Sequence, residues 1–317
     1  MTRRLLVCGA TGFIGRNLVE HFQAKKEYEV TGTYHRRPPW PGCQARMVQA
    51  DLRDPGRVDQ VLKGQDIILQ AAATTSGAKD IINRPDYHVT DNAVMNSYLL
   101  RAAHQQGAEH FVFFSCTVMY PSRDRPTREE DFDASGEMHP SYFGVGWTKV
   151  YVEKMCEFYA RLGLVKHTAI RHTNIYGPHD KYDLERSHVF GATMTKVLTA
   201  DSGTVAVWGA GRPRRDLLHV SDLVRFVELA LRKQEQPFGL YNAGVGQAVS
   251  VAELVQKIIT ASGKPLEIQY DLDKPDIETV LYVDTSRAAR ELGWAPRISL
   301  DQGIAETMAW YRENIGG

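Results

Sequence analysis

The chain has 317 residues, of which 43% are hydrophobic, and its 38 basic and 38 acidic side chains cancel. No run of like charge stands out and no window approaches the roughly eighteen apolar residues of a membrane span, which argues against nucleic acid or membrane as a partner. The four cysteines, Cys8, Cys43, Cys116 and Cys156, form no Cys-x-x-Cys pair, and neither they nor the 11 histidines show metal-ligand spacing, so no metal and a reducing, cytoplasmic setting are expected.

Met1 to Arg4 is basic, but the apolar run after it ends at Cys8, which makes it a strand over 4–8 and not a signal peptide. The run passes into Gly9-Ala10-Thr11-Gly12-Phe13-Ile14-Gly15. Such a triplet clamps a dinucleotide: Gly9 turns the chain tightly, Gly12 removes the Cβ that would block a pyrophosphate, and Gly15 lets the next helix lie on the sheet. The N–H groups and positive dipole end of that helix then hold the phosphates. Beyond it the pattern predicts helix 13–24, strands 28–34 and 46–49, helix 55–63, strand 66–70, helix 87–106, strand 110–115, helix 141–162 and strand 165–170. Strands separated by helices imply an α/β fold, a Rossmann-type doubly wound parallel sheet, here assigned to residues 1–175. Irregular stretches at 117–140 and 172–185 follow strands and read as lids over the ligand crevice. Helices 187–200, 220–233, 250–261 and 299–314, with strands 204–207 and 239–242, then suggest a smaller substrate lobe over 176–317, some segments of which return to the main sheet.

NAD-selective folds place an Asp or Glu about 20 residues after the glycines, on the ribose 2′-hydroxyl. Here the second strand ends in Thr33-Tyr34-His35-Arg36-Arg37, with two guanidinium groups and no carboxylate, which favours NADP(H) over NAD(H). The alternative is that Arg36 and Arg37 merely solubilise a loop. Asp51 and Leu52, after the third strand, suit an adenine contact, and Ala71, Ala72 and Ala73 either admit close approach of the cofactor or simply pack.

Four further segments carry a resemblance: Asn174-Ile175-Tyr176-Gly177-Pro178-His179-Asp180, Ser187-His188-Val189, Val207-Trp208-Gly209 with Arg215, and Leu292-Gly293-Trp294. On these the chain resembles, over nearly its whole length, the extended short-chain dehydrogenase/reductase family of nucleotide-sugar enzymes, and among them those that epimerise and reduce GDP-linked 4-keto sugars. The resemblance implies a Ser or Thr after the fifth strand, and a Tyr four residues before a Lys on the next helix. The Lys binds the nicotinamide ribose and lowers the pKa of the phenol, which moves a proton at the sugar oxygen. Lys149 is in place, but Val145 stands at the Tyr position and Cys116 at the Ser/Thr position.

Three readings follow from that gap. Tyr142, Tyr120 or Tyr182 fills it; or the enzyme performs only enolisation chemistry beside a ketone; or the protein binds a nucleotide sugar without turning it over. For enolisation the resemblance makes His188 a general acid, and puts Val118 where relatives carry a cysteine. Cys116, two residues earlier, either serves as second acid/base or is a small buried apolar residue. His179 reads as structural, and Asn174 as a sugar contact or a loop anchor.

The same resemblance puts Lys196 and Arg215 on the nucleoside diphosphate and Trp208 against the base or sugar; the alternatives are a solvated helix face, an ion pair of Arg215 with Asp216, and a core tryptophan. Lys274 to Val280 lacks the extra cation of relatives, offering Glu278 and Val280 instead. Helices 87–106 and 141–162, with Tyr98, Tyr151 and Phe158, are the pair through which this family forms homodimers.

Overall fold

The computed structural model describes residues 2–74, 85–184, 187–201, 203–273 and 279–316. Its main sheet has seven parallel strands in the order β11-β6-β5-β4-β1-β2-β3. These are β1 (Arg3–Cys8), β2 (Tyr28–Tyr34), β3 (Arg46–Gln49), β4 (Ile67–Gln70), β5 (His110–Cys116), β6 (Lys166–His172) and β11 (Phe238–Ala243). The order reverses at β1, between β2 and β4, which opens a crevice at the strands' carboxyl ends.

Alternation along β1 explains the two covered faces. Leu5 and Val7 pack with Leu18 and Phe22 of α1 (Phe13–Gln23) and with Leu223 and Phe226 of α6 (Val220–Lys233). Leu6 and Cys8 face the other way, onto Leu99 and Ala103 of α3 (Pro85–Gln105) and Cys156 of α4 (Phe143–Arg161). The short α2 (Pro55–Leu62) adds Val58 and Leu62 to that side, its first turn capped by Asp54.

A third cluster builds the rest of the chain. Met194 and Val197 of α5 (Val189–Thr199), Leu254 and Ile258 of α7 (Val251–Ser262) and Ile304 and Met308 of α9 (Leu300–Asn314) close over Val205 and Val207 of β8 (Gly203–Trp208). The helices fall within one or two residues of the predicted ones at most ends.

Several short elements escape the sequence pattern. The stretch 172–185 contains β7 (Asn174–Tyr176), paired in parallel with β10 (Leu217–His219). β9 (Arg214–Arg215) lies between β12 (Val249–Ser250) and β14 (Val280–Leu281), and β13 (Leu266–Asp271) pairs with β8. α8 (Ser286–Leu292) ends at Gly293, left-handed at φ 64°, which turns the chain so that the buried Trp294 donates its Nε1–H to the Asp222 carbonyl at 3.0 Å. No helix among the described residues is long and apolar enough to cross a membrane. The reading of Lys274 to Glu278 lies outside the described residues.

Candidate active site

At the crevice, Gly9 adopts φ 73°, and a Cβ there would sit 2.6 Å from the Ala72 backbone. A Cβ on Gly15 would fall 2.1 Å from the Gly9 carbonyl oxygen, so α1 can lie on the turn only because Gly15 has none. Gly12 is exposed and caps α1 without a side-chain hydrogen bond, and the helix has no acid in its first turn. Thr11, Phe13 and Ile14 flank this bare helix start, whose N–H groups and positive dipole end suit a pyrophosphate.

Beside it opens a cavity of about 250 Å³ lined by Gly9, Arg36, Asp51, Leu52, Ala72 and Ala73, among others. Arg37 and Ala71 do not line it: Arg37 is exposed, and Ala71 packs against the core. The Asp51 carboxylate is pulled down to about 2, chiefly by its bonds from the Arg53 guanidinium at 2.8 and 3.0 Å, and lies 3.8 Å from His35 Nε2. A carboxylate therefore does stand near the end of β2. It arrives through β2–β3 pairing, in which Tyr34 lies opposite Gln49.

The catalytic candidates meet at the carboxyl ends of β5 and β6. Cys116 and His172 are register partners there, and α4 brings up Lys149, whose ammonium donates to the Phe114 carbonyl at 2.7 Å and lies 4.8 Å from the Phe113 ring centroid. Burial lowers the Lys149 pKa and raises that of the Cys116 thiol, which Lys149 partly offsets. One turn further along α4, the buried Glu153 accepts from Ser115 Oγ at 2.6 Å and from Arg171 at 2.7 Å. One carboxylate thus fixes the residues just before both Cys116 and His172. Val145 sits one turn before Lys149, so no phenol from α4 occupies that level.

Two of the three substitute phenols are engaged elsewhere. Tyr120 donates to Asn242 Oδ1 at 2.8 Å and accepts from Arg171 at 2.9 Å, while Tyr182 donates to the Gly177 carbonyl at 2.8 Å. Tyr142 precedes α4, its ring 5.4 Å from that of His139. His188 caps α5, and the protein crowded about it, with the Lys181 charge, lowers its pKa. Among the groups facing His172, both Lys149 and His188 disfavour its protonation.

His172, Glu153, Arg171 and Ser115 are the residues that sequence reasoning missed. A signal existed in Glu153, four residues beyond Lys149 on one helix face, and in Arg171, a charge that directly follows the apolar Ala169-Ile170 of β6.

On the smaller lobe, Lys196 donates to the Ala206 carbonyl at 2.9 Å, and Trp208 ends β8 with 61% of its surface exposed, so it is not a core residue. Arg215 donates to the Thr279 carbonyl at 2.9 Å. Asp216 is fully buried and accepts from the backbone of Val245 and Gly246 at 2.8 and 3.0 Å. Asn174 reaches the Asp216 carbonyl at 3.4 Å, and His179, at φ 70°, pairs with Glu20 at 3.0 Å.

Residues 5–244 match the profile of the NAD dependent epimerase/dehydratase family. The chain belongs to that family. It is 28% identical to GDP-L-fucose synthase of Escherichia coli (strain K12), over 98% of this chain and 97% of that protein, and 29% identical to GDP-L-fucose synthase of Azorhizobium caulinodans, over 98% and 96%. The structure of MoeE5 in complex with UDP-glucuronic acid and NAD superposes with TM-score 0.85 at 26% identity, covering 98% of this chain and all of that one. A UDP-glucose 4-epimerase from Thermotoga maritima, solved with UDP-glucose, shares the fold with TM-score 0.87 at 24% identity, over 98% and 99%.

These findings overturn the expectation of NADP(H): the family is NAD dependent by name, and MoeE5 was solved with NAD. The physical reason lies in Asp51, a carboxylate that shares the cavity lining with Arg36, and in Arg37, which is not among the lining residues.

Proposed function

We propose that this chain is an NAD(H)-binding nucleotide-sugar enzyme that moves protons at carbons beside the ketone of a GDP-linked 4-keto sugar, an epimerisation without the usual reduction. The bare glycine turn and the Asp51-lined cavity fit the dinucleotide, with Lys149 on its nicotinamide ribose. When bound, that cofactor supplies hydride chemistry; the residues described supply binding and proton transfer. His188 is the general acid and Cys116 the second acid/base. Lys196 and Arg215 grip the diphosphate, Trp208 offers its exposed ring to base or sugar, and Asn174 steadies the loop beneath them.

A single observation carries the reading: α4 keeps Lys149 and presents Val145 where a reductase needs an acidic hydroxyl, while Tyr120 and Tyr182 are bonded within the protein. Incubated in deuterium oxide with GDP-4-keto-6-deoxymannose and NADH, the protein incorporates solvent deuterium beside the ketone and leaves NADH absorbance unchanged. Steady NADH loss without deuterium entry would reverse the assignment.

A second reading, binding without turnover, is favoured by the raised pKa of the Cys116 thiol, which burial keeps protonated. It is distinguished by calorimetric binding of the sugar nucleotide with no deuterium entry. Support for a homodimer comes from α4, which leaves Tyr151 and Phe158 exposed, while Tyr98 of α3 packs partly buried against the core.

A further inference from the structure

His172 has no role in any of the motifs above, yet it occupies the reactive edge of the sheet. It is the last residue of β6, directly across from Cys116 on β5 and from the apolar Ala243 on β11. Its Nδ1 lies 2.8 Å from the Thr173 carbonyl oxygen. A carbonyl only accepts, so Nδ1 carries the proton and Nε2 holds a lone pair. Among the described residues no protein group bonds Nε2.

We propose that His172 is a catalytic base of this site, taking through Nε2 the proton that leaves the carbon beside the sugar ketone. The C–H bond breaks, an Nε2–H bond forms, and the released electron pair moves onto the carbonyl oxygen. His188 then returns a proton to the opposite face of that carbon, and both rings re-equilibrate with water. The charged and titratable groups around the ring agree with this role. Lys149 from α4, His188 from the start of α5 and the burial of the ring all favour the neutral form, holding it down at about 4, against the Thr173 bond. Glu153 neutralises Arg171, the one cation next to it on its own strand. A ring that is neutral at pH 7 with a fixed tautomer is competent to accept a proton.

The inference rests on the isomerising reading, and two measurements keep the two apart. With NAD-loaded protein and GDP-4-keto-6-deoxymannose in deuterium oxide, His172→Gln lowers deuterium entry by about 100-fold or more, and removes the acid limb of its pH profile. A variant that keeps the wild-type exchange rate within about threefold overturns the proposal. If the wild-type protein shows no exchange, the isomerising reading fails, and the ring itself decides the inference. Long-range proton–nitrogen NMR of the NAD-loaded protein shows a neutral ring protonated at Nδ1 between about pH 5 and 8. An Nε2-protonated or charged ring at neutral pH removes the base and with it the proposal.

Discussion

At position 145 a valine methyl can neither give a proton nor bind an oxyanion, while its backbone holds the helix as a tyrosine would. Around it Lys149 is anchored to the Phe114 carbonyl, while Cys116, opposite His172, holds the Ser/Thr position. Val145→Tyr should therefore restore NADH-dependent reduction of the 4-keto sugar by about 100-fold or more, since a positioned proton donor contributes on that scale. Monitoring NADH absorbance checks it. An unchanged rate would mean that the phenol's place is filled by bulk and not by space. At this scale the turn was readable where a motif fixed the spacing, as at Gly9 and Gly15, whose missing Cβ atoms the packing requires. The sequence misled at Arg36 and Arg37, because Asp51 joins Arg36 in the cavity lining only when β3 pairs with β2.

Among the elements, α4 does more than carry a lysine. Glu153 and Arg171 are 4% and 3% exposed, bonded to each other at 2.7 Å, and Ser115 completes the clamp. Breaking a buried pair from one side leaves an uncompensated charge. Glu153→Gln is expected to destabilise the fold by about 3–5 kcal/mol, read from urea unfolding, and to disturb Cys116 and His172 together. Most of the long strands were legible as apolar runs and the longer helices by their period, since both bury a continuous face, but β13 and α8 were not. The two- and three-residue strands β7, β9, β10, β12 and β14 are too short for any period. The clamp itself joins residues from one helix and two strands, a juxtaposition that only the folded sheet creates.

For the whole molecule, acid is the vulnerable direction. Burial holds His110 at about 3 and His167 at about 4, and burial with nearby cations holds His172 at about 4, all below the ordinary 6.5. The unfolded chain binds these protons first, so their contribution is full above about pH 6.5 and is lost as pH falls toward 4. Three carboxyls oppose this, Asp216 raised to about 6, Asp180 to about 7 and Glu129 raised as well, all by burial, while burial also lowers His21, His188 and His219. The melting temperature should fall steadily over that window. His167 is the simplest to test: it is fully buried, packed near the Phe111 and Tyr159 rings, and neither ring nitrogen has a protein partner among the described residues. His167→Leu should raise stability by about 1–2 kcal/mol at pH 5 and flatten the acid slope, as followed by calorimetric melts.

The Glu153 clamp also bears on how such a site changes its reaction. The strand ends under Cys116 and His172 are tied to α4 by Ser115, Arg171 and Glu153, buried groups that do not involve the side chain at position 145. Exchange at position 145 leaves those ties in place, so a lineage built this way can vary the proton donor on the helix while its strand ends stay aligned.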